Sequence, residues 1–594
     1  MMTGISRRAA ALTALFAWAA LLSGCAAPAS HSPITSGPNP VTPVEVGVLA
    51  FNDFHGNLEP PRQSVGAPDG QGNTVQVPAG GAAWLASALD VLRARHPYSL
   101  TVSAGDTISA SPLASSLFLD EPTIGVMNRI GLDFSAVGNH EFDRGQQELL
   151  RLQAGGCAKL VAREPCQLER FAGAQFRYLA ASTRTASGGT LFPASAMRRF
   201  GQGARQVRIG VIGLTLRGTP LLVTPSGIAG LTFADEADTI NAEVPKLKAQ
   251  GADAIIVLIH QGGKASGAPD PNGCNGFAGE ILPVISRLSP GVDVVVSGHT
   301  HADYICDVPT SDPAHPMLLT SAGQYGKELT EITLMIDPAT HRVTARSARN
   351  HIVQSLPFTS AKGPVAASPL FPQYAPRQDV AAYVQRYVDA SKAFATRPVG
   401  KLSGPAGKGE GLAANTGGTL GNLIADAQLA ATRGSGAQIA FMNPFGIRAQ
   451  IVPAADGTVT FGDIYLAQPF GSATVTETMT GAEIKAVLEQ GFDDIGPEQA
   501  LAPSAGFVYR FDRRQPVGSR IVAITLGGKP LDPAARYRVT INGFLALGGD
   551  GFSVFTGAHE AVTGPTDIEA LEGYFRSAPR LDVPQEERVL NAGG

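Results

Sequence analysis

The sequence has little net charge and no stretch in which lysine and arginine are concentrated. Its 46 basic residues are nearly balanced by 50 acidic ones, which leaves a formal net charge of −4 over 594 residues. A protein that binds a nucleic-acid polymer neutralises the phosphate backbone with a basic patch. The composition therefore argues against a nucleic-acid polymer as a partner.

The start of the chain lacks an apolar run long enough to span a membrane comfortably. The run Ala9–Leu22 is short, follows Arg7 and Arg8 and precedes the string LSGC, a layout typical of an export signal. LSGC resembles a bacterial lipobox, in which the cysteine becomes the lipidated first residue of the mature protein. We therefore expect a signal peptide over 1–25, export to the periplasm or cell surface, and a lipid anchor at Cys25 as the only membrane contact. Cleavage elsewhere would leave this cysteine incidental.

Cysteine is scarce, and apart from Cys25 only four remain. An even number suits an oxidising compartment. Cys157 and Cys166 would close a short loop, and Cys274 and Cys306 a longer one. Four cysteines allow three pairings, so the connectivity stays open, and four free thiols are the alternative.

The chain divides into segments of different composition. Residues 26–43 are rich in Pro, Ser and Thr and are expected to form a flexible tether. Beyond them, short runs such as VEVGVLAF, VRIGVIGL and ADAIIVLIH alternate with helical stretches, which predicts a layered α/β sheet. We expect a first domain over 44–355, a linking helix over 376–396 and a second domain over 397–592.

Five loops of the first domain share one feature: each directly follows a predicted strand and carries Asp, His or Asn. They contain Asp53 and His55, then Asp106, then Asn139 and His140, then His260, and finally His299 and His301. The carboxyl ends of strands in such sheets gather at one edge, so these side chains should converge. Taken alone, a histidine at a strand end is more often a capping or hydrogen-bonded residue. Together, imidazole and carboxylate donors predict a site for two divalent metals that share a bridging carboxylate.

The ordered series D-x-H, GD, GNHE, H and GHTH resembles the calcineurin-like metallophosphoesterases, and the chain from about Val44 onwards is similar to the bacterial 5′-nucleotidase family. The resemblance implies a four-layer α/β/β/α catalytic domain, a linking helix and an α+β substrate-binding domain. It implies one metal held by Asp53, His55, Asp106 and His301, and another held by Asp106, Asn139, His260 and His299. The metals would be Zn, Mn, Mg or Co, which the sequence does not distinguish.

The resemblance also assigns His140 and Asp143 the role of a catalytic dyad, in which the carboxylate orients the imidazole. The alternative is that Asp143 caps a helix beginning at Arg144.

Five residues of the second domain match the substrate-binding residues of the same family. They are Asn443, Arg448, Phe470, Phe544 and Asp550. The resemblance implies that Arg448 binds the phosphate, that the two phenylalanine rings stack on the base, and that Asp550 binds the ribose. Family members usually carry an arginine shortly before the LGN string, whereas the stretch GEGLAANTGGTLGNLIADAQ contains no Lys or Arg. Arg448 is therefore expected to bind phosphate alone.

These expectations predict an exported 5′-nucleotidase that releases phosphate from nucleoside monophosphates by in-line attack of water at a two-metal centre. A 2′,3′-cyclic-nucleotide phosphodiesterase, a UDP-sugar hydrolase or a hydrolase of a sulfur ester could use the same scaffold. A surface lipoprotein that only binds a partner is a different class, and an intact set of metal ligands argues against it. The oligomeric state is not predicted.

Overall fold

The computed structural model describes residues 42–161, 163–223, 225–310, 316–360, 363–409, 415–494 and 498–593. The predicted signal peptide with Cys25, and the predicted tether up to residue 41, lie outside these residues. Within the described ranges, no helix combines the length and the apolar composition needed to cross a bilayer.

The first part of the described chain alternates strands and helices. Its strands are β1 (Val44–Phe51), β2 (Gln63–Pro68), β3 (Thr74–Ala79), β4 (Ser99–Ser103), β5 (Phe134–Ala136), β6 (Arg177–Leu179), β7 (Thr183–Thr185), β8 (Ser195–Phe200), β9 (Val207–Leu214), β10 (Leu231–Phe233), β11 (Ala254–Ile259), β12 (Val294–Ser297), β13 (Asp303–Val308), β14 (Met317–Ala322), β15 (Glu328–Asp337), β16 (Arg342–Ile352), β17 (Phe358–Ser360) and β18 (Gly363–Val365). Its helices are α1 (Ala82–Arg93), α2 (Leu113–Ser116), α3 (Glu121–Ile130), α4 (Gln146–Ala154), α5 (Glu236–Ala249), α6 (Ile281–Ile285) and α7 (Gln378–Ala395).

Two six-stranded sheets form the centre of this part. Their strand orders are β16-β15-β1-β4-β5-β6 and β13-β14-β12-β11-β9-β8. Strands β1, β4 and β5 run parallel in the first sheet, and β9, β11 and β12 run parallel in the second. The carboxyl ends of these parallel strands therefore lie at one edge of each sheet.

The two sheets pack face to face, and helices cover their outer faces. The buried layer between the sheets contains Val48 and Val102 of the first sheet and Ile256 and Val294 of the second. Helices α1, α3 and α7 contribute to the apolar cluster outside the first sheet, and α5 and α6 to the cluster outside the second. The predicted four-layer α/β/β/α architecture is confirmed. Because the strands are covered on both faces, they read as nearly continuous apolar runs in the sequence.

Helix α7 packs on the first sheet through one apolar stripe. Val380, Tyr383, Val384 and Tyr387 are buried and follow the three- and four-residue spacing of a helix face. They belong to the same cluster as the apolar faces of α1 and α3. The domain boundaries and the linking role of this helix stay predictions.

The remaining described chain mixes helices with shorter sheets. Its strands are β19 (Pro398–Lys401), β20 (Ile439–Met442), β21 (Thr458–Thr460), β22 (Ala473–Thr480), β23 (Ala502–Pro503), β24 (Phe507–Phe511), β25 (Ile521–Leu526), β26 (Lys529–Pro530), β27 (Arg536–Asn542), β28 (His559–Thr566) and β29 (Val589–Asn591). Its helices are α8 (Gly418–Thr432), α9 (Phe461–Ala467), α10 (Gly481–Gln490), α11 (Gly543–Ala546) and α12 (Asp567–Arg576). A five-stranded sheet, β23-β20-β27-β22-β28, and a four-stranded sheet, β26-β25-β24-β29, give the α+β character predicted for this part.

Two disulfides join the cysteines of the described chain. Cys157 pairs with Cys166, and Cys274 pairs with Cys306. The second disulfide ties the loop after β11 to strand β13. Of the three pairings that the sequence allowed, the structure has this one, and the alternative of free thiols is wrong.

Candidate metal centre and substrate cleft

The five loops that follow β1, β4, β5, β11 and β12 meet at the carboxyl edges of the two sheets. Tight backbone turns aim their side chains at a common space. The predicted ligands with positive φ are Asp53 (49°), His55 (47°), Asp106 (49°), His299 (71°) and His301 (57°). Residues other than glycine adopt this conformation rarely, and they keep it only where the surrounding structure holds them there.

One group of donors is centred on His55. Its Nε2 lies 3.2 Å from Nε2 of His301 and 3.6 Å from Oδ2 of Asp106. His301 Nε2 in turn lies 3.3 Å from Oδ1 of Asp53. Side chains from loops far apart in the sequence thus direct nitrogen and oxygen atoms at one point.

A second group is centred on His260. Its Nε2 lies 3.0 Å from Oδ2 of Asp106 and 3.1 Å from Oδ1 of Asn139. The ring of His299 lies 5.2 Å from the His260 ring, and its backbone N–H donates to the carboxylate of Asp53. Asp106 is in contact with both His55 and His260, as a bridging ligand must be.

The backbone fixes which nitrogen of each central histidine faces the site. His55 Nδ1 donates to the carbonyl oxygen of Ser109 at 2.9 Å, and His260 Nδ1 donates to that of Ala104 at 2.8 Å. A carbonyl oxygen only accepts hydrogen bonds, so in each neutral ring Nδ1 carries the hydrogen and Nε2 keeps its lone pair. Such outer contacts orient histidines that bind metals.

The ionisation states of the buried groups favour the binding of cations. Burial acts to raise the pKa of Asp53, but His301 and His260 outweigh burial and lower it to about 2. Burial acts against a charged His260, yet the Asp106 carboxylate raises the pKa of this histidine to about 10. For His299, burial and the nearby His260 lower the pKa to about 3. The paired carboxylates therefore remain ionised and favour positive charge in their midst.

The donor set fits divalent metals that take nitrogen and oxygen ligands. Among the residues that the structure describes, three groups have ligand atoms that all lie within 4.8 Å of one another: Asp53, His55 and His301; His55, Asp106 and His140; and Asp53, Asp106 and His260. The structure thus brings the predicted ligands together. The distribution of individual ligands between two metals stays a prediction.

Glu141 organises the loop that holds Asp106, a role that sequence reasoning missed. Its buried carboxylate accepts from the backbone N–H groups of Asp106, Thr107 and Gly138 at 2.7 to 2.8 Å. Gly138 is required here, because an added Cβ would lie 2.1 Å from Oδ1 of Asp106. The sequence signal for this role is the glutamate of the string GNHE, which directly follows His140.

His140 and Asp143 are hydrogen-bonded as a dyad requires, with His140 Nδ1 2.8 Å from Asp143 Oδ2. Helix α4 begins at Gln146 after Gly145, so Asp143 does not cap a helix that begins at Arg144. Burial acts to lower the pKa of His140, but the carboxylates of Asp143 and Asp106 outweigh burial and raise it. The catalytic role of the pair stays a prediction.

Arg448 reaches from the second part of the chain into this centre. Its Nη2 lies 3.2 Å from Nε2 of His140, and its guanidinium lies over the Phe470 ring at 5.6 Å. Phe470 also stacks on His140, with ring centroids 6.0 Å apart, and keeps 37% of its surface exposed. Arg448 Nε is buried and has no hydrogen-bond partner among the described residues.

The other predicted substrate residues form a neighbouring network. Asn443 Nδ2 donates to Oδ2 of Asp550 at 2.7 Å, and Asn542 Nδ2 donates to Oδ1 of Asn443 at 2.9 Å. Burial raises the pKa of Asp550 to about 6, although the bond from Asn443 and the charge of Arg448 oppose the rise. The Phe544 ring packs so closely on Gly549 that an added Cβ there would lie 2.5 Å from it. Phe544 thus lies beside the Asp550 turn, and Phe470 beside His140.

Lys408 is a second cation near Arg448, and sequence reasoning did not identify it. Its Nζ donates to the carbonyl oxygen of Ile447 at 3.4 Å. Burial, together with the positive charges of Arg448 and Lys264, lowers the pKa of Lys408 to about 8. Lys408 directly precedes the stretch that lacks Lys and Arg, which is why Arg448 was expected to bind phosphate alone.

The layers and the converging donors are those of a calcineurin-like phosphoesterase, and the family model of that description matches residues 47–303. A second model, the 5′-nucleotidase C-terminal domain, matches residues 398–557. The chain belongs to the 5′-nucleotidase family, with a metallophosphoesterase domain followed by a 5′-nucleotidase C-terminal domain.

Known proteins resemble the chain over most of its length. The Endonuclease YhcR of Bacillus subtilis is 30% identical over 539 residues, which are 90% of this chain but only 40% of the endonuclease. The Probable 5′-nucleotidase of Treponema pallidum is 25% identical, over 92% of this chain and 94% of that protein. The crystal structure of a 5′-nucleotidase precursor from Thermus thermophilus has a TM-score of 0.73 and 26% identity, and covers 92% of this chain and 99% of its own.

Proposed function

We propose that the protein is an exported, metal-dependent 5′-nucleotidase that releases phosphate from nucleoside monophosphates. The observation that carries the proposal is the 3.2 Å contact between Arg448 and His140, which joins the predicted phosphate-binding arginine to the edge of the metal centre. The 5′-nucleotidases of Treponema and Thermus, which align with nearly all of the chain, support the same activity.

The metal centre would hold two divalent cations. Its ligands would be Asp53, His55, Asp106, Asn139, His260, His299 and His301. When bound, two such cations place positive charge on the phosphoryl oxygens and make a water molecule acidic enough to act as the nucleophile. The protein prepares this site by holding Nε2 of His55 and of His260 towards it and by burying both carboxylates.

His140 and Arg448 would both act on the phosphoryl group. The hydrogen bond from His140 Nδ1 to Asp143 holds the imidazole in place, and Nε2 faces the guanidinium. Hydrogen-bond donors fixed before the reaction stabilise the negative charge that develops on the equatorial oxygens and the leaving group. Arg448 suits this role, because its planar fork can bind two phosphate oxygens at once.

The nucleoside would lie along the surface of the second domain. Asp550 accepts one hydrogen bond from Asn443 and has acceptor capacity left for a ribose hydroxyl. Phe470, which is partly exposed beside His140, and Phe544, which lies beside the Asp550 turn, would stack on the base. Stacking tolerates different bases because each has a π face, so we expect broad base specificity.

The two disulfides support an oxidising location outside the cytoplasm. A lipid anchor at Cys25 is part of the proposal. Mass spectrometry of the protein from its membrane fraction tests it, since lipidation would add acyl mass to a chain that begins at Cys25. A mature chain that begins elsewhere would refute the anchor and leave the enzymatic proposal intact.

The activity is tested by phosphate release from purified protein. The substrates are AMP, a 2′,3′-cyclic nucleotide, UDP-glucose and an artificial diester, each with and without chelator. We expect AMP to be the best substrate, and chelation to abolish its turnover until metal is restored. A His140→Ala variant should lose at least about 100-fold in kcat, since a positioned acid–base or electrostatic group contributes that much.

The matched control is His341→Ala, because His341 is an exposed histidine paired with Asp253, outside the donor groups of the metal centre. Faster turnover of the cyclic nucleotide or of UDP-glucose would replace the proposed substrate, and full activity of the His140 variant would refute the site.

A further inference from the structure

We propose that Lys408 is a phosphate-binding residue that contacts the substrate together with Arg448. The inference rests on the proposed function and deepens it, because it identifies the second cation of the phosphate subsite. Three features support it: the position of Lys408, the lack of a carboxylate partner in the described structure, and the charges that face the ammonium group.

The backbone around Lys408 is held beside the segment that contains Arg448. Ala406 and Ile451 exchange two backbone hydrogen bonds of 2.9 Å, and Gly407 N–H donates to Oγ1 of Thr419. Gly418, at the start of helix α8, packs on the carbonyl of Lys408 so tightly that an added Cβ would lie 2.4 Å from its oxygen. These contacts bring the lysine side chain against the residue that precedes Arg448.

The ammonium group of Lys408 makes few polar contacts with the described residues. Among the described residues, neither Lys408 nor Arg448 forms a salt bridge with a carboxylate. Within the same part of the chain, the one hydrogen bond of Lys408 Nζ runs to the carbonyl oxygen of Ile447, at the long distance of 3.4 Å. An ammonium group has three donors, so two of them have no hydrogen-bond partner among the described residues. Arg448 Nε also lacks a partner in the described structure.

Positive charges lie near one another around Lys408. Arg448 and Lys264 both disfavour the charged form of Lys408, and Asp550 is the acid that opposes them. Lys264 lies on the loop after β11, where it forms a bridge with Ala278, and the disulfide of Cys274 ties the same loop to β13. Three cations gathered around one acid are unfavourable at a partly buried site unless a further anion joins them. A phosphate dianion meets that requirement.

Kinetics of Lys408→Met test the inference, because methionine keeps the length and apolar stem of the side chain and removes its charge. We expect KM for AMP to rise at least about tenfold, as loss of a charge-assisted hydrogen bond predicts, and kcat to change less than about threefold. Lys408→Arg should stay within about threefold of wild type, because it restores the charge. The matched control, Lys401→Met, removes an exposed lysine that is paired with Asp456 and should change nothing.

The pH profile gives a readout that a structural role would not change. Burial, Arg448 and Lys264 lower the pKa of Lys408 to about 8 while Asp550 opposes them, so the lysine loses its charge as the pH rises through that value. The kcat/KM of the wild type for AMP should therefore fall above about pH 8. The Lys408→Arg variant should keep its kcat/KM to higher pH, since arginine stays protonated.

Two results would overturn the inference. One is an unchanged KM for AMP in Lys408→Met; the other is an equal loss with AMP and with the artificial monoanionic diester, which would indicate a structural defect. If the wild type hydrolysed no nucleotide, the proposed function would fail instead. Calorimetry with inorganic phosphate would then decide the inference alone, with weaker binding by Lys408→Met supporting it and equal binding refuting it.

Discussion

Nη2 of Arg448 donates a hydrogen bond to Nε2 of His140 across 3.2 Å, although 308 positions separate the two residues in the sequence. A guanidinium group has no acceptor, so in the neutral imidazole Nε2 accepts and Nδ1 carries the proton that it donates to Asp143. The contact fixes both the tautomer and the direction of the imidazole. It also places the proposed phosphate-binding group of one domain beside the proposed metal ligands of the other.

Two substitutions of Arg448 should distinguish the effect of its charge on activity from the effect of its planar shape. Arg448→Ala should lower kcat/KM for AMP by about 100-fold or more, because a bidentate, charge-assisted contact to phosphate is lost. Arg448→Lys should fall between the alanine variant and wild type, since it keeps the charge but not the planar fork. Steady-state kinetics measure both, and Arg205→Ala, at an exposed position of the first domain, is the control. Equal activity of all three variants would contradict the assignment.

Glu141 should matter for both stability and metal content. In Glu141→Ala, three buried backbone N–H groups and the hydroxyl of Thr107 would lose their acceptor. Buried groups left without a partner cost about 1–3 kcal/mol each, so we expect the free energy of unfolding to fall by about 3 kcal/mol or more. Because the same N–H groups hold the Asp106 loop, metal content should fall as well.

Urea denaturation and elemental analysis measure these two effects of the Glu141 variant. Glu587→Ala, which truncates an exposed glutamate, is the control and should match wild type in both. A Glu141 variant that keeps full metal content and stability would show that the loop is held in another way.

Removal of metal should destabilise the folded protein. The carboxylates of Asp53 and Asp106 are almost fully buried and lie in one site, so without cations they repel each other. A ligand that binds only the folded state at about 100 times its dissociation constant adds about 2.7 kcal/mol of stability. Thermal unfolding should therefore shift to lower temperature with chelator and return when Zn or Mn is added. Asp106→Asn should show a much smaller shift, and an equal shift would mean that the metals bind elsewhere.

The fold and the centre of the site could be read from local patterns. Strands β1, β4, β11 and β12 are short apolar runs, and each is followed within a few residues by the donor that it positions. The reason is physical: parallel strands covered on both faces must be apolar, and their carboxyl ends must meet at one edge. Asp53 and His260 could therefore be predicted to converge without knowledge of any contact.

The other features of the site depend on contacts between residues far apart in the sequence, and local sequence patterns do not show such contacts. Lys408 lies beside Ile447, next to a bridge between Ala406 and Ile451 that joins segments far apart in the sequence. The contact of Arg448 with His140 depends on how two domains pack. The pairing of four cysteines had three solutions, and only the folded chain selects one. Glu141 was visible in its motif, but its three backbone partners were not.

The ionisation of Glu477 on strand β22 should make the free energy of unfolding depend on pH. A single substitution of this residue should remove that dependence. The side chain is buried, and its Oε1 has no hydrogen-bond partner among the described residues. Burial raises the pKa of Glu477 to about 7, and the charge of Arg538 offsets this only in part. The folded protein therefore keeps the proton up to about pH 7, whereas the unfolded chain releases it near the ordinary glutamate value of about 4.3. The contribution of this proton to the free energy of unfolding is therefore complete below about pH 4.3. It is lost as the pH rises to about 7.

Glu477→Gln is neutral at every pH and should remove this loss. We expect the variant to exceed wild type by about 1–2 kcal/mol at about pH 8 and to match it more closely at about pH 5, where folded wild type is still protonated. Urea midpoints at the two pH values measure the difference, and Glu587→Gln controls for the change of net charge. Because both proteins share every other titrating group, the difference between them isolates Glu477. A gain of the same size at both pH values would mean that better packing or hydrogen bonding of the glutamine, and not the buried charge, is responsible.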